Sequence, residues 1–288
     1  MKSVRNCVEI IIILIVIGAA TYSQRAVVGD WVRGWMEPEL PPAVEYQEVV
    51  DAEEQEEEKV IEKETSPKPE SESVPEPQPQ PEPEPASDPP VEPVIPVSFN
   101  LAVPFTSQAP HGNWGEPFKE SCEEASLYMV HAYYQGVGDG SIDPDTAEAE
   151  LKKIAEFEKE LFGYYEDTTA AQTGTLAEMF YGYGTFELIE NPTVDQIKEQ
   201  VAAGRPVIVP AAGRELGNPF FTAPGPIYHM LVIRGYTQDG RFITNDPGTK
   251  HGQAYLYTFD TIMNALHDWN GGNEIKEGKK VVLVVYPN

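Results

Sequence analysis

Fifteen of the 61 residues from Glu37 to Val97 are proline, and nineteen Asp or Glu against three Lys give the stretch a net charge of −16. Such a segment buries too little apolar surface to offset the entropy of ordering its backbone. It therefore reads as a disordered acidic linker. Its Pro-Glu half, "PEPQPQPEPEPASDPP", favours extended polyproline II. At about 3.1 Å per residue, the whole linker would reach roughly 190 Å. No basic residue flanks a PxxP core in it, which argues against a ligand for a Pro-binding partner. The linker divides the chain into a short N-terminal piece, 1–36, and a folded domain, 98–288.

The N-terminal piece begins "MKSVRNCVEIIIILIVIGAATYSQR", with Lys2 and Arg5 ahead of an apolar run from Ile10 to Ala20. This is the layout of a signal anchor or a secretory signal. Cationic residues before the run predict a cytoplasmic N-terminus and an extracytoplasmic C-terminal domain. We read a single-pass membrane anchor; the alternative is secretion after cleavage near Gly18-Ala19-Ala20. Cys7 precedes the run, so it is not placed like a lipoprotein cysteine and reads as an idle cytoplasmic thiol.

The chain carries a net charge of −27, of which about −13 remains on 98–288. No Lys/Arg cluster is present, which excludes a nucleic-acid partner. There is no HExxH, CxxC or close His/Asp cluster, so no metal and no cofactor is expected.

About 190 residues suffice for one sizeable core. "LAVPFTSQ" (101–108) reads as an extended entry. A helix is expected from Cys122 to Gln135, opened by a capping box of Ser121 and Glu124 and ended at Gly136. Asp143-Pro144 starts a second helix, with Ala147, Leu151, Ile154, Phe157 and Leu161 on its apolar side. A third helix is expected over about 176–181. A fourth opens at the capping box Thr193–Gln196 and ends at Gly204. Thereafter "PVIVPA", "HMLVIRGYT", "RFITND", "AYLYTF" and "KVVLVVYP" read as strands. Asp239-Gly240 turns the second of these into the third. Helices first and strands later predict an α+β fold, a helical N-terminal half packed on an antiparallel sheet.

Cys122 is the only cysteine of the folded domain. As the first residue of its helix it meets free N–H groups and the positive end of the helix dipole, which favour a thiolate. Glu123 and Glu124 oppose that by like charge. A thiol nucleophile needs an imidazole partner. His131 lies nine positions down the same helix, about 13 Å away along the axis, and is too far. His111, His251 and His267 read as surface residues. His229 opens an apolar strand after a Pro/Gly-rich loop, and across the Asp-Gly hairpin Asp246 ends the return strand before Pro247-Gly248. That arrangement allows Asp246 to orient one imidazole nitrogen while the other faces the thiol. The insertion Gly213–Pro226 is expected to form a flap over the cleft, with Phe220 and Phe221 as substrate contacts together with Tyr228, beside the histidine.

Taken in order, "VPFTSQ", "SCEEASLYMV", "GRPVIVPA", "YHMLVIRGY" and "FITNDPG" resemble the papain-like cysteine peptidases, specifically the bacteriocin-leader-peptidase-like family, the thirty-ninth family of cysteine peptidases. The resemblance spans about 99–288. It implies a papain-like fold, Cys122 as nucleophile, His229 as general base and acid, Asp246 as its orienter and Gln108 as an oxyanion-hole donor, with a peptide or protein as substrate. Gly directly follows the cysteine in that family's pattern; here Glu123 stands there, where it is expected to meet substrate. No transporter region accompanies the domain, so the leader-cleaving export role does not carry over. The sequence therefore points to a membrane-tethered, extracytoplasmic cysteine peptidase. Two alternatives remain: a catalytically inactive binding module of the same fold, motivated by Glu123, or a peptidoglycan amidase or transglutaminase-like enzyme sharing the triad.

Overall fold

The computed structural model describes residues 39–52, 54–55, 95–272 and 274–287. The apolar run at 10–20, and with it the anchor reading, lies outside the described residues, as does most of the linker. The chain divides into two units, Met1–Leu40 and Pro41–Asn288, and all elements given below belong to the second. Among the described residues, no helix is long and apolar enough to cross a membrane.

The second unit is α+β, as the order of elements predicts. Its sheet is antiparallel and seven-stranded: β1 (Phe99–Asn100), β2 (Thr185–Glu190), β3 (Val207–Ala212), β4 (Tyr228–Tyr236), β5 (Arg241–Asn245), β6 (Tyr255–Thr258) and β7 (Val281–Tyr286). The strand order is β2-β7-β3-β4-β5-β6, with β1 paired to the end of β4. Every residue of β4 is buried. That burial explains why it reads as a continuous apolar run rather than an alternating one. Among the described residues, five α-helices follow β1: α1 (Cys122–Tyr134), α2 (Pro144–Phe162), α3 (Ala170–Met179), α4 (Val194–Ala202) and α5 (Phe259–Ala265). Helix α1 packs along β4, and α3 packs against β2 and β7.

Local chemistry sets most boundaries. Asp143 caps α2 by accepting from the Thr146 N–H, Pro144 opens its first turn, and Gly163 ends it in the left-handed conformation at φ 86°. Thr193 and Gln196 form the expected capping box of α4. The third helix differs from expectation: α3 starts at Ala170, six residues early, behind a second capping box of Thr169 and Gln172. Ser121 also differs. Its hydroxyl donates to the Pro117 carbonyl at 3.1 Å and to Glu124 Oε1 at 3.4 Å, and it caps no N–H of α1. The chain enters α1 from a 3₁₀ turn over Phe118–Glu120, and that turn holds the serine back.

The register of β4 shifts between Ile233 and Gly235. A side chain at Gly235 would put Cβ 2.6 Å from the Phe99 carbonyl oxygen, so the close approach of β1 requires glycine. Arg234, at the shift, points inward. It donates to Asn100 Oδ1 at 3.1 Å, to the Val103 carbonyl at 3.0 Å and to Asp139 at 2.7 Å. Asn245 Nδ2 reaches the same Val103 carbonyl at 2.9 Å and that of Pro104 at 3.1 Å. These buried bonds fix the extended entry 101–108 across the strands that carry His229 and Asp246.

One linker boundary is corrected. Residues 41–52 are part of the folded unit. The Val44 N–H donates to the Asn100 carbonyl at 2.9 Å, and the Ala102 N–H to the Val44 carbonyl at 2.8 Å. A helical turn over 46–52 follows. There Tyr46 packs edge-on against Tyr133 and Tyr134, at 5.6 and 5.1 Å between centroids. The averaged composition of 37–97 hides this stretch, because its acidic run begins only at Glu53.

Candidate active site

Four elements converge on one cavity of about 1060 Å³: the entry loop through Gln108, the start of α1 at Cys122, the start of β4 at His229, and the loop after β5 through Gly248. Phe220, Phe221, Thr222 and Pro226 of the 213–226 insertion line it from one side, and Tyr228 and Trp269 also reach it.

Cys122 is the first residue of α1, with 7% of its surface exposed, and that surface opens on the cavity. The Met230 N–H, next along β4 from His229, donates to its sulfur. The thiol nonetheless lies well above its ordinary pKa. Burial is the main cause; the charges of Glu123 and Glu124 add to it, and the Met230 bond only partly offsets them. Sγ donates to Glu123 Oε2 at 3.0 Å.

His229 is buried, and its Nε2 lies 2.8 Å from Asp246 Oδ1. That contact occupies Nε2 and leaves Nδ1 as the other ring nitrogen. Phe221 stands edge-on to the imidazole, 5.3 Å between centroids. A Cβ at Gly248 would lie 2.9 Å from His229 Cε1, so only glycine lets the ring sit there.

Asp246 has no exposed surface and four donors. Oδ1 accepts from His229 and from the Gly248 N–H at 3.0 Å; Oδ2 accepts from Tyr257 OH at 2.6 Å and Asn218 Nδ2 at 3.0 Å. Burial alone would raise its pKa, but the adjacent imidazole and the Tyr257 and Asn218 bonds hold it below the ordinary carboxylate value. A carboxylate so supplied stays ionised and holds the imidazole in one orientation.

Gln108 lines the cavity, but its Nε2 donates to the carbonyls of Phe118 and Lys119, both at 3.0 Å. Its backbone N–H donates to the Pro247 carbonyl, also at 3.0 Å. The amide thus braces the turn ahead of Cys122 against the loop that follows Asp246.

Other expectations are corrected. Glu123 has no exposed surface and is absent from the cavity wall, so it does not meet substrate. Its place on the first turn of α1 turns it beneath the cysteine, toward α2. Tyr228 presents its body to the cavity, but its hydroxyl is turned inward, donating to the Thr168 carbonyl at 3.0 Å and Asp268 at 3.2 Å. His267 is buried rather than on the surface; it follows α5, and its backbone N–H donates to the Pro210 carbonyl at 3.2 Å. His131 stacks on Tyr181 at 3.7 Å, away from the thiol. His111 and His251 line the cavity rim. His111 pairs with Asp145 at 3.0 Å, and His251 lies against Phe220, 4.4 Å between centroids.

Two residues of the site escaped sequence reasoning. Asn218 lies in the insertion read only as a flap, and no local signal marks it. Tyr257 sits on β6, where the alternation in "YLYT" puts Tyr255 and Tyr257 on one face; that pattern was readable, but its target was not. Among the described residues, no group of His, Cys, Asp and Glu has the arrangement of a metal site.

A protein-family model described as the Peptidase_C39 like family matches residues 100–274. No curated protein matches the chain. Among solved structures, one described as a C39-like peptidase from Bacillus anthracis aligns at 16% identity, covering 66% of this chain and 98% of that one, with a TM-score of 0.44.

Proposed function

The chain belongs to the Peptidase_C39-like family, its residues 100–274 forming a papain-like cysteine peptidase-type domain, and on that premise we propose that it is a thiol hydrolase of peptide or amide bonds working through Cys122, His229 and Asp246. The observation that carries this reading is the 2.8 Å His229–Asp246 bond, buried behind a cavity onto which the Cys122 thiol also opens.

In the proposed cycle, the Cys122 proton passes to His229 Nδ1. The thiolate attacks the substrate carbonyl carbon, and a C–S bond forms as the oxygen takes negative charge. The N–H groups at the start of α1 supply donors for that oxyanion. Gln108 adds a second donor if one of its Nε2 hydrogens leaves a carbonyl of the 118–119 turn for the new anion. His229 then gives its proton to the leaving amine, and the C–N bond breaks. Water attacks the thioester, its proton passing to His229, and the C–S bond breaks to restore the thiol. Asp246 orients the ring and stabilises the imidazolium throughout.

A second reading rests on the Sγ–Glu123 bond. A thiol donating to a buried carboxylate is quenched, as suits a binding module of the same fold. Labelling separates the two. With the full-length chain and iodoacetamide, modification is assigned to Cys122 or Cys7 by mass spectrometry. The hydrolase reading expects Cys122 to label faster than a free cysteine at its optimum pH, and His229→Ala to slow it more than tenfold. Equal rates in the two proteins would sink it.

We further propose that the Lys2/Arg5-flanked apolar run tethers the domain outside the cytoplasm. Membrane fractionation of wild type against a variant lacking 1–23 tests this: loss of the membrane-bound fraction is expected in the variant.

A further inference from the structure

The residue after the cysteine lies buried against its sulfur. Glu123 is fully buried, its Oε2 lies 3.0 Å from the Cys122 sulfur, and its Oε1 has no hydrogen-bond partner. Two further carboxyls lie behind it. Glu124, also on α1, accepts from Ser121, and Glu158 of α2 accepts from Thr168 Oγ1 at 3.4 Å. Each of these two keeps one oxygen without a partner. The titratable groups facing Glu123 are Cys122 and Glu124 from its own helix, Glu158 from α2, Asp167 from the loop beyond α2, and Tyr228 from β4. All of these are acids.

A buried carboxylate surrounded by acids is stable only as a neutral group. Burial, first, and the charge of Glu124 both push Glu123 well above the ordinary carboxylate range, and Glu158 is pushed to about 8 by burial and by Glu123. The consequence for the sulfur depends on where the proton sits. An ionised Glu123 takes the Sγ–H bond and holds the proton on sulfur. A protonated Glu123 reverses that bond: its O–H points at Sγ and stabilises a thiolate, with the thiol proton passed to His229 Nδ1.

We propose that Glu123 is a catalytic residue of this site: as a carboxylic acid it donates to the thiolate, and as a carboxylate it quenches the thiol. The inference rests on the thiol-hydrolase reading and adds a direction to it. The nucleophile is armed on the acid side and disarmed as Glu123 loses its proton. Glu124 and Glu158 set the pH of that change by opposing a third negative charge. The same geometry explains how an acidic residue is tolerated at the nucleophile, because it is neutral when the enzyme works.

The test is the pH profile of Cys122 labelling by iodoacetamide in the full-length chain, read from about pH 4.5 to 9.5, with labelled peptides mapped. Wild type is expected to lose at least tenfold in rate on the alkaline side of its maximum. Glu123→Gln places a neutral donor of equal size beside the sulfur, and the alkaline fall should vanish. Glu158→Gln leaves Glu123 and Cys122 in place but removes one opposing charge, and the fall should move to lower pH. A Glu123→Gln profile that superimposes on wild type overturns the proposal, as does a wild type with no alkaline fall. Should Glu123→Gln fail to fold, an unmoved limb in Glu158→Gln overturns it instead. His229→Ala separates the two levels. If it labels like wild type, the hydrolase reading itself fails; if it labels slowly while Glu123→Gln keeps the wild-type limb, only the role of Glu123 fails.

Discussion

Replacing Tyr257 by Phe removes one oxygen from the protein and tests what holds Asp246 in place. The Tyr257 hydroxyl donates to Oδ2 at 2.6 Å, both residues being buried. A hydrogen bond to a charged group contributes about 1.5–3 kcal/mol, and its loss leaves an acceptor site empty. For a domain of this size about 2–4 °C of melting temperature follows each kcal/mol, so the variant should melt about 3–12 °C lower at neutral pH. The pH dependence gives the sharper reading. Asp246 is held below its ordinary value, so its contribution to stability is complete above the unfolded-state value of about 4 and is lost as pH falls through the folded-state value. Tyr257→Phe raises that folded value. The gap between wild type and variant is thus full at neutral pH and closes in acid. Calorimetry of both proteins across this range measures it. Asn218→Ala should couple to the same change, because Asn218 Nδ2 donates both to Oδ2 and, at 2.8 Å, to the Tyr257 oxygen; the double variant should lose less than the two losses added. A neutral-pH melting temperature equal to wild type, or a gap that persists undiminished in acid, would refute the idea that the tyrosine stabilises a charged Asp246.

Three other perturbations have definite outcomes. Gln108→Ala should lower hydrolysis of a cleaved peptide about 100-fold if its amide serves the oxyanion, while iodoacetamide labelling, which builds no oxyanion, changes far less; parallel losses in both assays would reduce Gln108 to a brace. Gly235→Ala places Cβ 2.6 Å from the Phe99 carbonyl oxygen and 2.9 Å from Asn100 Cα, and should cost about 1–3 kcal/mol, read by urea unfolding. Tyr46→Ala removes the edge-on contacts with Tyr133 and Tyr134, worth about 0.5–1.5 kcal/mol each beyond the area they bury; cleavage by a Glu-specific protease at Glu45 and Glu48 should accelerate, and unchanged digestion would mean that the docked segment is held by its backbone bonds alone.

What the sequence discloses here follows the range of the interaction concerned. Helix α2 is legible because its start and apolar stripe are both local: Asp143, Pro144 and a 3.6-residue spacing. The β4–β5 hairpin is legible from Asp239-Gly240 for the same reason. Helix α3 starts earlier than expected and holds Gly174 in its interior. That glycine is there because Phe186 packs on it, where an added Cβ would lie 2.4 Å from the ring. Strand β2 escapes because "TFELIE" is an edge strand, half exposed, whose partner β7 lies about a hundred residues on. The same division runs through the site. Cys122, His229 and Asp246 stand out through helix start, strand start and strand end; Cys122 and His229 line one cavity, and Asp246 lies buried behind the histidine. Asn218 and Tyr257 do not stand out, since their value is a partner far along the chain. Glu123 reads as a substrate contact because it stands where the family's pattern has glycine beside the nucleophile; that three carboxyls, Glu123, Glu124 and Glu158, are buried together is invisible to a rule about one residue type.

The docked segment 41–52 changes what the acidic linker can do. On composition alone, the linker spaces the domain from the N-terminal apolar run by up to roughly 190 Å. With Val44 bonded beside Leu101 and Tyr46 seated on α1, the chain reaches the domain at residue 41, and the twenty residues from Thr21 to Leu40 are all that separate it from the apolar run. Fully extended they span at most about 70 Å. The Pro/Glu-rich stretch then leaves the domain after the 46–52 turn and returns to it at Ile95, both ends tied to the same folded unit. A loop closed in this way adds no reach. On the tether reading, the reach between the apolar run and the domain is therefore that of 21–40 alone.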